Sequence, residues 1–529
     1  MTCKGAPPWA PLGREPRIGE GGAPAEGRPY RSNMKLGEIA DILGSNIRAA
    51  RGATELAERE PLGYSIDSRT IRAGELFFAI RGENYDGHHF VVDAIAKRAL
   101  AAVVSRGFLG SEFGRQIDPQ KAALILVDDT LVALQSLANS VIGAWEGEVV
   151  AITGSVGKTS TKEMTAAMLS RKGRVVKTTG NLNNHYGLPL SILKMESDAS
   201  HASDFDFAAL EMGMNHKGEI AALARIAPPN VGIITVVAPV HLEFFSSIDE
   251  IAEAKAELVG GIVPGGLAIL NADDERVSRM DALRYDIVSR TFGIDHEADV
   301  MARDIKTEGI AESTFTLVTP RGQVRARVPL SGRHSIYNAL AAAAVADHYE
   351  TQLDDIADAL ADLSAPRMRG EVVRFRNGFT LIDDSYNSSP RALLEMVSTI
   401  AASRESRRKI VVAGEMLELG ESASKLHRDA GRRIAQLGID KLIGVRGHAS
   451  EIVAGAREAG MNSDAAVVTN TPEEAAEALI RDVRDGDLIL VKGSRGVRTE
   501  IVVERLKQRF ETIEDCDRVM PGNAATGRH

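Results

Sequence analysis

Residues 149–164, VVAITGSVGKTSTKEM, constrain this chain more than any other stretch: a β-branched apolar run stops at Gly154, the chain turns, and helical spacing begins near Lys158. A run this short and this apolar reads as a strand buried on both faces, the sequence signature of a parallel sheet. A strand that feeds a helix through a glycine-bracketed turn aims several backbone N–H groups and the positive end of a helix dipole at one spot. Phosphate suits that spot. Gly154 and Gly157 allow the tight curl, the turn from Ser155 and Val156 through Ser160 lines it, Lys158 can reach terminal phosphates, and the Thr159 hydroxyl suits Mg²⁺. The spacing G-x-x-G-K-T is two residues shorter than the usual P-loop, yet strand, turn, Lys and Thr stand in the required order. ATP and Mg²⁺ are the expected ligands.

The same theme recurs. Apolar runs at 207–211, 231–237 and 267–271 each precede a helical pattern, and after SAPRMRGE it resumes with FTLIDDS, KIVVAGEM, KLIGVRG, AAVVTN and LILVKGS. TPEE at 471–474 is a helix start, with Thr as cap and Pro in the first turn. Between 34 and 145 the pattern is mixed: 63–82 reads as strand-rich and 88–105 as helix then strand. With 529 residues and about 100–200 per domain, the expectation is three α/β domains. These are a small mixed unit over 34–145, a central parallel-sheet nucleotide-binding unit over 146–364 and a Rossmann-like unit over 365–512. The first 33 residues hold six glycines and six prolines with no apolar core, and are expected to be disordered, as is the tail 513–529. Helical spacing begins abruptly at Met34, the expected translation start.

Charge and cysteines narrow the function classes. The 63 basic and 73 acidic residues give a net charge of -10 and are not blocked, which argues against a nucleic-acid or membrane-surface partner. No uncharged window approaches the ~20 residues of a membrane span. The two cysteines, Cys3 and Cys516, lie near the ends, where a disulfide framework would organise little; a cytoplasmic, monomeric protein is expected.

Three further residues could serve the phosphate site. Glu211 ends a strand at the sheet's carboxyl edge, where a carboxylate can hold Mg²⁺, and His241 lies just past another strand of that sheet. Lys255 sits on the second turn of a helix that Ser247 and Glu250 are spaced to cap. A lysine beside a cation site is electrostatically odd, and a solvated helix lysine is the plainer reading.

The motifs TGSVGKTSTKEM, NLNNHYGLPL, EMGMNHKGEI, HLEFFSSIDEIAEAKAEL, NADDERV, SGRHSIYNALAAAAVA, DDSYNSSP and GEMLELGESASKLH occur in the order seen in Mur ligases, and the chain resembles that family from about 34 to 506. The resemblance implies ATP-dependent amide formation through an acyl phosphate. It also implies that Lys255 is carbamylated, which makes it an anion able to hold a second metal with His241 beside the one at Thr159 and Glu211. Asn338 matches an adenine-reading asparagine; Arg367, Asp384 and Tyr386 match nucleotide contacts from the third domain; Ser68 and Arg69 match the uridine-nucleotide segment. Arg69 could equally be a structural ion-pair partner. Ser335, Ser388 and Ser389 depart from the usual residues. The third region lacks the Asp-Asn-Pro-Arg motif of the diaminopimelate-adding branch and looks like the branch that joins D-alanyl-D-alanine to UDP-N-acetylmuramoyl-tripeptide. Glu415, Leu417, His427 and Ser494 are weak candidates for the dipeptide pocket. Closure of the third domain is expected, with hinges at 331–332 and 364–366. The alternatives are another Mur ligase, a folylpolyglutamate synthetase-like ligase, or a non-catalytic ATP-binding scaffold.

Overall fold

The computed structural model describes residues 34–513 apart from 49–52, 83, 118–121, 198–199, 241, 309, 311, 331, 365–366 and 405. The expectations for 1–33, for 514–529 and for His241 lie outside the described residues, as do residues 331 and 365–366 of the two expected hinges.

Three sheets succeed one another along the chain. The first has five strands, parallel except for the edge strand Ile47–Arg48, which runs antiparallel to Leu124–Val127. The strand-rich reading of 63–82 shrinks to Tyr64–Ser65 and Leu76–Phe78. Between them Asp67 accepts from the backbone N–H and the guanidinium of Arg69, an Asx-type turn that competes with the ladder.

The central sheet has nine strands. Glu148–Thr153 is the third strand from one edge, flanked by Phe207–Glu211 and Val231–Ile234, all parallel. The expected run 231–237 is a strand only as far as Ile234, because the chain then turns to meet the glycine turn at 154–157. This sheet is mixed rather than purely parallel. Val300–Glu308, Glu312–Thr319 and Gly322–Val328 add an antiparallel meander at one edge. Glu312–Thr319 alternates and is buried on one face only, unlike the continuous apolar runs that signal parallel strands.

The third sheet has six strands. Five are parallel, at the positions the apolar runs predict, and Glu371–Arg374 joins the edge antiparallel to Thr380–Asp384. Helix Pro472–Asp482 begins as the sequence predicts: Thr471 accepts from the Glu474 N–H, a cap worth about 1 kcal/mol.

Packing divides these three units unequally. One hydrophobic cluster runs without a break from Leu36, Ile125 and Leu134 of the first unit into Ala151, Leu188 and Ile220 of the central one. Helix Thr130–Ala144 is the strut between them, with Asn139 donating to the carbonyls of Arg225 and Ile226, and buried Trp145 just past its end donating to Phe205 O. The third unit has two clusters of its own, one on each face of its sheet, and faces the central unit across a cleft.

Candidate active site

The cleft opens at the carboxyl ends of the central strands, where an open α/β sheet presents its loops. Gly154 has φ 147° and Gly157 φ 88°. Both are enforced by neighbours: a Cβ on Gly154 would stand 1.8 Å from Thr235 Oγ1, and one on Gly157 2.3 Å from Asn338 Oδ1. Ser155 N–H donates to Val236 O and its hydroxyl to Ala238 O, while Thr235 Oγ1 donates to Val156 O, so the loop past Ile234 braces the glycine turn. Helix Lys158–Leu169 starts immediately after Gly157.

Asn338 reaches this turn from far along the chain. Its helix, Arg333–His348, is rich in fully buried alanines, which let it lie close against helix Lys158–Leu169. There Thr161 Oγ1 donates to Asn338 Oδ1 at 3.2 Å. Small side chains thus decide how near the asparagine comes to the phosphate turn.

Lys158 is half-buried and donates to Gly154 O at 2.8 Å. Burial lowers its pKa, Glu211 opposes that, and Arg369 adds to it. Thr159 Oγ1 donates to Glu211 Oε2 and Asn183 Nδ2 to Glu211 Oε1, each at 2.8 Å, so the buried carboxylate is held on both oxygens. Lys255 is buried in helix Ile248–Gly261, which Ser247 caps as the sequence predicts. Its pKa is driven well below the ordinary value, first by burial and then by the charge of Lys158. Among the described residues its ammonium has no hydrogen-bonding or ion-pairing partner. The solvated helix lysine is therefore not what the fold contains.

The third unit supplies the opposite wall. Asp384 ends a strand of that sheet and accepts from buried Lys492 at 2.5 Å; Lys492 also donates to Asn387 O. Arg367 is exposed and is not part of the cavity lining. Arg369, two residues on, lines the cavity instead, with its guanidinium 3.9 Å from the centre of the Tyr386 ring. Between them Met368, at φ 64°, turns the chain, so the two arginines part company. His334, at the start of the central unit's helix Arg333–His348, also lines the cavity, with its pKa lowered by burial against the opposing charges of Glu395 and Asp384. The described cavity measures about 500 Å³, inside the ~300–1,000 Å³ range of small-molecule sites. Across it Glu243 N–H donates to Glu418 O, a direct contact between the two units.

Other sequence candidates separate. Leu417 and Ser494 line the cavity, and Leu417 N–H donates to Ser494 Oγ. Glu415 turns away to accept from His448 N–H. His427 is fully buried and accepts from Met416 N–H on Nε2 while Nδ1 faces Ala423 O, a brace for the loop between them and not a cleft group. Ser68 and Arg69 belong to the first unit, away from this cavity. Ser68 is buried, with Lys97 donating to its carbonyl; Arg69 is exposed and its guanidinium is engaged by Asp67.

Sequence reading missed Asn183, Arg369, Lys492 and Thr235. Asn183 was within reach, since it lies in NLNNHYGLPL, a quoted motif. Thr235 carried no signal until the loop folded onto Gly154.

Three segments match family descriptions: residues 62–141 "Mur ligase family, catalytic domain", 152–346 "Mur ligase middle domain" and 368–495 "Mur ligase, glutamate ligase domain". The UDP-N-acetylmuramoyl-tripeptide--D-alanyl-D-alanine ligase of Escherichia coli K12 is 34% identical over 480 residues, covering 90% of this chain and 99% of that one. Its Bacillus subtilis counterpart is 32% identical over 444 residues, covering 84% and 93%. Among solved structures, MurF from Acinetobacter baumannii superposes with a TM-score of 0.77 at 28% identity, covering 90% and 99%. A MurF ligase from Thermotoga maritima in complex with ADP gives 0.71 at 28%, covering 84% and 98%. A glycine turn at the carboxyl edge of a central sheet, faced by a third unit across a cleft, is thus found in a chain that belongs to the Mur ligase family.

Proposed function

We infer that this chain joins D-alanyl-D-alanine to the terminal carboxylate of UDP-N-acetylmuramoyl-tripeptide at the expense of ATP. The observation that carries the chemistry is the Gly154–Ser160 turn, with Lys158 and the Thr159–Glu211 pair on one wall of a cavity whose other wall is the third unit. Relatives with the same printed activity align over most of both chains, which supports the acceptor.

A carboxylate cannot accept an amine directly in water, because oxide would have to leave. The substrate carboxylate oxygen therefore attacks the γ-phosphorus of ATP, releasing ADP and leaving an acyl phosphate. The neutral amine of the dipeptide then attacks the acyl carbon, and the tetrahedral adduct expels phosphate. Placement and charge neutralisation do this work, so no protein nucleophile is needed. Lys158 faces the transferring phosphoryl group. Asn338 takes the adenine end, and Asp384 and Arg369 contact the nucleotide from the third domain, while Arg367 lies outside the cavity lining.

Thr159 Oγ1 and Glu211 Oε2 form a pair of hard oxygen donors that fits Mg²⁺. Among the described residues no cluster of three or more His, Cys, Asp or Glu offers an alternative all-protein site. Mg²⁺, when bound, offsets the crowding of phosphate and carboxylate oxygens. Lys255 fits the carbamate role: burial and the charge of Lys158 lower its pKa and so favour the neutral amine, CO₂ forms a bond to Nζ, and a proton leaves to solvent. The resulting anion would, with His241, hold a second metal. Ser68 and Arg69 serve the uridine nucleotide. The working arrangement is a monomer in the cytoplasm, with a sugar-nucleotide domain over 34–145, an ATP domain over 146–364 and a closing domain over 365–512.

Purified chain given ATP, Mg²⁺, the sugar-nucleotide tripeptide and D-alanyl-D-alanine is expected to release phosphate and give, by mass spectrometry, the pentapeptide nucleotide. Diaminopimelate, lysine or glutamate as acceptor should stimulate far less. ATP left uncleaved, or equal stimulation by all acceptors, overturns the reading.

A further inference from the structure

Helix Lys158–Leu169 carries a second lysine, Lys162, that the reaction does not use. It is fully buried and sits one turn past Lys158, so it touches no substrate. Burying an ammonium costs several kcal/mol unless its donors are met, and a methionine would fill the same space without that penalty. Its partners are therefore informative. Lys162 Nζ donates to Thr178 O at 2.6 Å and lies 3.0 Å from Glu163 Oε1.

Thr178 immediately follows Val175–Lys177, a three-residue strand at the edge of the central sheet, paired on one side only. Short edge strands fray readily. Here fraying would matter, because Thr178 Oγ1 accepts from the Glu211 N–H at 3.1 Å. From Thr178 the chain enters the loop whose Asn183 side chain donates to Glu211 Oε1. The same loop places His185 O to accept from Gln135 of the first unit. Glu211 is thus gripped at its backbone and at its carboxylate by a loop whose root is fastened by Lys162.

We propose that Lys162 is a positioning residue for the metal-facing carboxylate: by fastening Thr178 O it fixes the edge-strand end and the 178–187 loop, and through them the orientation of Glu211. This rests on the reading of Glu211 as a Mg²⁺ ligand. Removing the ammonium should leave the nucleotide turn and the sugar-nucleotide domain in place and loosen the metal site. Groups that orient a metal ligand typically contribute about 10–100-fold in metal affinity.

The test is Lys162→Met beside Thr178→Val, which deletes only the hydroxyl that receives the Glu211 N–H. Mn²⁺ binding to the full chain with a non-hydrolysable ATP analogue, followed by electron paramagnetic resonance, needs no turnover. Both variants are expected to weaken Mn²⁺ by about tenfold or more. The Mg²⁺ concentration giving half-maximal rate should rise in parallel, with KM for the sugar nucleotide unchanged. The double variant should be little worse than either single one, because both cut the same connection. Unchanged Mn²⁺ affinity in Lys162→Met overturns the proposal whatever Thr178→Val does, as does a loss confined to Tm. Should Lys162→Met not fold, Lys162→Gln takes its place with the same two outcomes. If the unaltered chain binds no Mn²⁺ with the analogue, the reading of Glu211 itself fails, and Lys162 with it.

Discussion

The two junctions of this molecule are built on opposite principles. Between the first and central units the contact is a shared apolar core, with Leu134 and Trp145 buried on one side and Leu188 and Ile220 on the other. Between the central and third units it is a cleft of mixed lining, where Lys158, Glu211, Arg369, Asp384 and Lys492 stand among apolar side chains such as Ile310 and Leu419, with a backbone hydrogen bond from Glu243 to Glu418 across it. An apolar junction stabilises through area excluded from water and therefore resists opening. A polar contact loses little when water enters, so on the proposed function this junction would open for nucleotide and close for chemistry. The apolar junction would then keep the first unit in register with the glycine turn.

The contrast predicts where damage is chemical and where it is structural. Lys158→Met in the cleft should reduce kcat/KM by about a thousandfold, the scale of removing a charge aimed at a transition state, with Tm nearly unchanged. A loss under tenfold would shift the phosphoryl-stabilising role elsewhere. Lys255→Ala should lose about a hundredfold and recover part of it in acetate or propionate, whose carboxylate can stand where the carbamate stood. Protonated Lys255 cannot take up CO₂. In limiting bicarbonate, the rate of the unaltered chain should therefore rise with pH through the lowered pKa of this lysine. Full activity of the alanine variant without added acid would remove the carbamate from the scheme.

At the fixed junction, Leu134→Ala should cost about 2–5 kcal/mol, lowering in calorimetry the melting of the first two units together while sparing the third. Separate melting of the first and central units would break the comparison. The smallest effect belongs to His427, inside the third unit. Burial holds its pKa below the ordinary 6.5, so the unfolded chain binds the proton more readily than the native one. Its contribution is complete above about pH 6.5 and is lost as pH falls toward the native value. Tm measured against pH should show that decline, and a His427→Gln variant should flatten it.

Much of this was legible before folding. The apolar runs located four parallel strands of the central sheet and the five of the third but not Val175–Lys177 or Val288–Gly293, and Thr471 and Ser247 marked helix starts, because these signals depend on period and capping within a few residues. The meander at 300–328 was not legible as part of the central sheet, since its strands owe their place to pairing partners. The pocket residues divide in the same way. Gly154, Gly157, Lys158 and Thr159 lie in one contiguous stretch and were readable from it. The choice between Arg367 and Arg369 depended on a backbone turn at Met368, and His427 could be told from a ligand only by the two backbone groups that occupy its ring nitrogens.

The sequence by itself determined that a phosphate turn joins a buried strand to a helix, because a strand, two glycines, a lysine and a threonine in that order carry their geometry locally. Only the tertiary structure decided what that turn faces. The alanine-rich helix brings Asn338 against Gly157, the edge-strand loop holds Glu211, and burial lowers the pKa of Lys255. Distance through space and exclusion of water fix these relations, and neither is written in the order of residues along the chain.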